Sequence, residues 1–229
     1  MLGTVVNTIA IVAGGLVGVL LKGGLPEKIS QSIMQGMGLC IILIGMSGAL
    51  SGTSYIMEII FFVVIGTAVG EVIDIEKRLE RLGDHLQSKY ASEGSTFSKG
   101  FVTASLLYCV GAMAIMGALE SGLNGNHEIL FAKSILDGII SIIFASTLGV
   151  GVIFSAVTVF IYEGTITLAA GGLKQLLTDP VVTQMSATGG LLILGLGISM
   201  LGNIKLKIGN MLPSVLLPIV YALIKGLVV

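Results

Sequence analysis

Two carboxylates, Asp137 and Glu163, lie inside long apolar runs of a 229-residue chain. A charged side chain at the centre of a membrane-spanning helix costs about 2.5–3.5 kcal/mol on insertion scales, so each one calls for a partner or a task. Asp137 stands eight residues after Ile129, where its run begins, and Glu163 stands eight residues before Gly171, where the next run ends. At about 1.5 Å of rise per residue, both lie roughly 12 Å beneath the same boundary. Two carboxylates at one depth on adjacent helices can share a proton or hold a cation. Each also has a structural reading. Lys133 precedes Asp137 by four residues and can pair with it on one helix face. Glu163 has no such neighbour, Lys174 being eleven residues on, and a carboxyl in hydrocarbon can simply stay protonated. Glu58 and Glu71 sit nearer the ends of their run, and Asn7 is the most deeply placed of Asn7, Asn203 and Asn210.

Glycine supplies a second pattern. "GLCIILIGMS" at 38–47 and "GLLILGLGIS" at 190–199 agree at five of ten positions, and "AGGL" precedes each, at 13–16 and 170–173. If the echo is a duplication, its copies occupy the second and seventh spans and cross in opposite directions, as in inverted-repeat transporters. Gly38, Gly45, Gly190 and Gly197 would then line a substrate path, because glycine permits a break that turns backbone polar groups toward a cavity. The other reading is that they pack helices together. "GGLVG", "GALSG" and "GTAVG" have the small-xxx-small spacing that does so.

The elements that carry these residues follow from composition. The chain is 54% apolar, 11% charged and holds 33 glycines, which is the profile of a polytopic all-α membrane protein rather than a soluble domain. Eight spans are expected, near 2–21, 29–50, 54–73, 100–119, 129–148, 150–171, 181–201 and 211–228, in a single polytopic domain over 1–229. The division at Gly149 is the weakest, and a count of seven is its rival. The first run lacks a basic leader region and a convincing cleavage site, so it reads as a span. Asp179 before Pro180 reads as an N-cap followed by a first-turn proline. Lys22 and Lys28, then Lys77, Arg78, Arg81 and Lys89, then Lys205 and Lys207 all fall on one side, which the positive-inside rule makes cytoplasmic. Lys174 dissents. Residues 75–98 form the one substantial polar segment, an amphipathic helix and linker continuing the third span, with Ile75, Leu79, Leu82 and Leu86 on its apolar stripe.

Several classes drop out. A net charge of −1 with no basic block disfavours nucleic acid. Cys40 and Cys109 fall in apolar runs and suggest neither a disulfide nor a zinc site. His85 and His127 lie in polar segments, Gly-x-Ser-x-Gly is absent, and no phosphate-binding loop occurs, so neither an enzyme nor a cofactor is expected.

"MLGTVVN" (1–7), "CVGAMAI" (109–115), "KSILDG" (133–138) and "NMLP" (210–213) resemble the YdfK/YqgA family of bacterial inner-membrane proteins, a domain of unknown function, over the whole chain. The resemblance implies a multi-pass location in a bacterial cytoplasmic membrane and brings no substrate or catalytic residue with it. The functional expectation is a small-solute or ion transporter coupled to a proton or cation, with cargo crossing between the second and seventh spans. The alternative is a scaffold or sensor acting through the polar segment. The expected partners are the lipid bilayer, the transported species and further copies of the chain.

Overall fold

Each apolar run becomes a helix, because in lipid only a helix or a closed barrel satisfies every backbone polar group. The computed structural model describes the chain except residues 23–26, 91–95, 111, 174–175, 203, 205 and 229. Most of the linker after the polar segment, Lys174, Asn203 and Lys205 therefore lie outside the described residues. The helices are α1 (Leu2–Lys22), α2 (Glu27–Leu50), α3 (Ile56–Ile73), α4 (Ile75–Tyr90), α5 (Phe97–Cys109), α6 (Ala112–Leu123), α7 (Glu128–Leu148), α8 (Gly151–Leu173), α9 (Asp179–Met200), α10 (Ile208–Met211) and α11 (Pro213–Val228). Among the described residues there is no strand. Among the described residues seven stretches are long and apolar enough to cross a membrane, and the bent α5–α6 pair, taken as one span, is an eighth. The fold is an all-α polytopic bundle. Its flanks are greasy, as a lipid-facing surface requires: Leu20, Val72 and Leu168 are 83%, 88% and 76% exposed.

Two glycine-lined seams hold the bundle together. α1 runs parallel to α7, so close that a Cβ on Gly14 would lie 2.2 Å from the Gly138 carbonyl oxygen and one on Gly18 2.3 Å from that of Ile142. α2 runs antiparallel to α9, the most enclosed of the spanning helices. Backbones approach this closely only where side chains are absent, and the approach supplies the van der Waals contact that drives helix association in lipid.

One local expectation holds and three change. The weak division at Gly149 is a real break, because Gly149 takes φ 81° and ψ −159°, which stops α7 and starts α8. The fourth span, expected to be continuous, is broken instead. Val110 leaves the helical region at φ −94°, ψ 113°, and α5 and α6 meet at 59°. "LLYCVGAMAI" carries neither proline nor charge, so hydropathy has nothing to mark. Finally, α4 does not continue α3: Asp74 between them adopts the left-handed conformation (φ 57°), which aspartate tolerates better than most residues. Thr178, one position ahead of Asp179, holds the cap of α9.

A polar clasp fixes that corner. The buried Asn210 side chain accepts the Glu76 backbone N–H at 2.7 Å and donates to Glu71 at 2.5 Å, while the Glu76 carboxylate accepts the Gly209 N–H at 2.6 Å. Lys207 pairs with Glu71 at the surface, and that hydrogen bond holds its ammonium above the usual lysine range. This end of the molecule, which also carries Lys28, Lys77, Arg78, Arg81 and Lys99, is called the basic end below.

Candidate functional site

Where α1, α7 and α8 meet, four polar side chains are shut away from solvent: Asn7 and Glu163 at 0% exposure, Lys133 at 5% and Asp137 at 6%. Lys133 and Asp137 share a face of α7 because they are four residues apart, and they form an ion pair. The Lys133 ammonium also lies 3.4 Å from Glu163 Oε1. The Asn7 amide nitrogen bridges the two acids, donating to Asp137 Oδ2 at 3.1 Å and to Glu163 Oε1 at 2.9 Å. Asn7 Oδ1 and Glu163 Oε2 are left without a hydrogen-bond partner. One ammonium thus faces two carboxyls, and one buried oxygen is spare on the bridging amide and one on Glu163.

Around this cluster the polar contacts continue. Thr4 and Thr167 hydroxyls approach to 3.4 Å one turn away on α1 and α8. On the other side the Lys133 ammonium stands 5.9 Å from the centre of the Tyr108 ring, whose hydroxyl bonds to Ser141 at 2.8 Å. On α8, Ser155 and Thr165 bond back to their own helix, whereas Thr158 accepts from Ser105 across to α5 at 3.2 Å.

Lys133 and Asp137 also form part of the wall of a cavity of about 580 Å³. Its other walls include Leu107, Tyr108 and Val110 at the α5–α6 break and Ser186, Gly190 and Ile193 of α9. Ser51, Asp179 and Thr183 line its rim at the end of the bundle opposite the basic one. Glu163 and Asn7 stand behind that wall and do not line the cavity. Among the described residues no three His, Cys, Asp or Glu side chains gather as metal ligands would.

The sequence-derived candidates thus divide into two groups. Asp137, Glu163 and Asn7 come together, with Lys133 serving both acids; Glu163, which lacks a basic neighbour along the chain, finds one across the fold. The glycines go elsewhere. Gly45 abuts Gly190 and Gly38 abuts Gly197, so backbone fills the α2–α9 seam at the level where the sequence suggests a path, and of the four only Gly190 also borders the cavity. The pairing is crosswise. If Gly38 corresponds to Gly190 and Gly45 to Gly197, the contact Gly45–Gly190 maps onto Gly197–Gly38, which is the reciprocity that a two-fold axis between α2 and α9 produces. Tyr108, Ser141 and the break at Val110 are not singled out by the sequence; an aromatic hydroxyl amid "SLLYCVG" is the one signal available.

Buried charge beside a broken helix in a polytopic bundle defines a membrane protein with a polar interior. The family model described as "Protein of unknown function (DUF554)" matches residues 2–223, and the chain belongs to that family. It is 34% identical over 221 residues to a Bacillus subtilis (strain 168) protein named "Uncharacterized membrane protein YdfK", across 95% of this chain and 94% of that one. It is 31% identical over 224 residues to "Uncharacterized protein YqgA" of Escherichia coli (strain K12), with the same coverage of 95% and 94%. No solved structure matches the chain.

Proposed function

We propose that the protein is a transporter of a small solute or ion in the bacterial cytoplasmic membrane, coupled to a proton or monovalent cation at Glu163 and Asp137. The observation that carries this reading is the two-to-one ratio of buried carboxyls to ammonium. With both acids ionised the cluster holds one uncompensated negative charge, and an unpaired buried charge costs several kcal/mol. A proton or cation taken up at the cluster removes that cost. Lys133 and Asp137 face the cavity, so a solute there meets the pair that the bound ion adjusts. The discontinuous α5–α6 span beside the cavity supports the same reading, since broken helices line solute sites in many secondary transporters.

Purified protein in proteoliposomes tests it, by solid-supported-membrane recording with amino acids, small carboxylates and inorganic cations as probes. The expected result is a current driven by one of these classes, scaled by an imposed pH gradient and lost in Glu163→Gln. A solute current that Glu163→Gln leaves unchanged takes the coupling role away from Glu163, and silence towards all the probes counts against transport.

One observation favours a scaffold or sensor reading. α4 turns Arg81, Leu82, Asp84, His85 and Ser88 outward, with Leu82 48% exposed among them, as a helix that meets a partner would. Replacing Arg81, Leu82, Asp84 and His85 with serine separates the readings, since a transporter keeps its flux.

A further inference from the structure

A second cavity, of about 610 Å³, opens at the basic end, and its walls include Thr103 and Leu106 of α5 and Leu196, Ser199 and Met200 of α9. The first cavity continues along the same two helices with Leu107 of α5, Val110 at the break just after it, and Ser186, Gly190 and Ile193 of α9. On α5 the wall residues include Thr103, Leu106 and Leu107, spaced three and one. On α9 they include Ser186, Gly190, Ile193, Leu196 and Met200, spaced four, three, three and four. Both series follow the period of a single helical face. The two cavities therefore lie end to end along one stripe of α5 and one stripe of α9.

Between them stands a short apolar block. Leu106, Leu107, Ile193 and Leu196 are 7%, 8%, 6% and 7% exposed and belong to one packed hydrophobic cluster. The change from one cavity to the other takes one residue on α5 and three on α9, about 4.5 Å of helix axis. Hydroxyls flank the block on either side: Ser186 and Thr183 in the first cavity, Thr103 and Ser199 in the second. By contrast, the α2–α9 seam is closed by backbone contact.

We infer that a small polar solute crosses between α5 and α9, through these two cavities, and that Leu106 and Leu107 against Ile193 and Leu196 form the barrier that opens to one side at a time. This rests on the transport reading above and assigns its route. Lys133 and Asp137 line the first cavity just beyond the barrier, so the charged cluster is placed to sense a solute that has passed it. The break at Val110 gives α5 a hinge next to its barrier leucines.

Water access tests the route without needing a substrate. In a Cys40→Ser, Cys109→Ala background, Ser186→Cys and Thr103→Cys are exposed separately to a charged, membrane-impermeant methanethiosulfonate in right-side-out and inverted vesicles. The expected result is that Ser186→Cys reacts only from the face opposite the basic end and Thr103→Cys only from the basic face. Adding Leu107→Ala with Ile193→Ala, or Leu196→Ala alone, should abolish the one-sidedness of Ser186→Cys. Both thiols reacting from one face, or either staying inert from both, overturns the route, as does strict one-sidedness in a barrier variant that elutes as a single species. Labelling reads access and not flux, so a failed flux assay with Glu163→Gln leaves this result intact, and a failed labelling pattern leaves the coupling site to its own test.

Discussion

Gly45 and Gly190 meet backbone to backbone where α2 crosses α9: a Cβ built on either would lie 2.7 Å from the other's carbonyl oxygen. No side chain fits there, and each position has a closer neighbour still, the Leu194 backbone nitrogen at 2.3 Å from a Cβ on Gly45 and that of Ala49 at 2.3 Å from one on Gly190. Overpacking of this kind costs about 1–3 kcal/mol. Gly45→Ala should therefore lower the thermal unfolding temperature in detergent, while Gly36→Ala on the same helix, where a Cβ meets nothing within 4 Å, should not. Equal shifts for the two variants would refute the seam.

The buried cluster predicts a strong asymmetry between single and double substitutions. Lys133→Met strands Asp137 and Glu163 as two buried acids, and removing one partner of a buried pair costs about 3–5 kcal/mol. Lys133→Met combined with Asp137→Leu removes both members of the closest pair and should recover much of that loss. A thermal-shift cycle of the wild type, the two singles and the double reads the coupling directly. Additive losses would mean that Lys133 and Asp137 do not depend on one another.

Lys133 and Asp137 could be paired from sequence alone because a helix brings i and i+4 together. The Lys133–Glu163 contact could not be read the same way, nor Asn7 bridged between the acids, since the first joins two helices and Asn7's contacts span 130 and 156 residues, so both depend on which of the spanning helices are neighbours. The opposite directions of the two glycine phrases, in α2 and α9, were legible, but not what the glycines do. Glycine serves packing and cavity alike, and only the neighbouring backbone tells which. The break at Val110 left no trace, because a helix interrupted by an extended valine keeps an unbroken hydropathy profile. The barrier residues were hidden for a similar reason: leucine and isoleucine in a membrane segment are what lipid, core and barrier all require.

Asn210 is predicted to matter for architecture and not for transport. Its side chain closes the α3–α4 corner onto α10 through Glu71 and the Glu76 backbone, so Asn210→Ala removes the acceptor of the part-buried Glu76 N–H and one of the donors to the half-exposed Glu71, at about 1 kcal/mol for each bond. The neighbouring Lys207–Glu71 pair persists through neutral pH. A lysine held above its usual range keeps its stabilising charge at lower pH and loses it only as pH climbs through the raised value. Hydrogen exchange should show faster opening at the start of α4 in Asn210→Ala, with exchange around Asn7 and Glu163 unchanged. Spread of the effect to α1 and α8 would mean that the clasp and the cluster are coupled.

Orientation is the last consequence, and it decides which cavity faces the cell. The basic end carries Lys28, Lys77, Arg78, Arg81, Lys99 and Lys207, whereas Ser51 and Asn126 are exposed at the opposite end. Loop lysines and arginines resist translocation, so the basic end should be cytoplasmic. Single cysteines at Ser51 and Asn126 should then react with an impermeant maleimide from outside intact cells, and a cysteine at Ser88 of α4 only after the membrane is opened. Ser51 and Ser88 flank α3, which crosses once, so labelling of both from one side would remove that crossing. The antiparallel relation of α2 to α9 would then lose its footing, and with it the two-fold exchange of Gly38 with Gly190 and of Gly45 with Gly197.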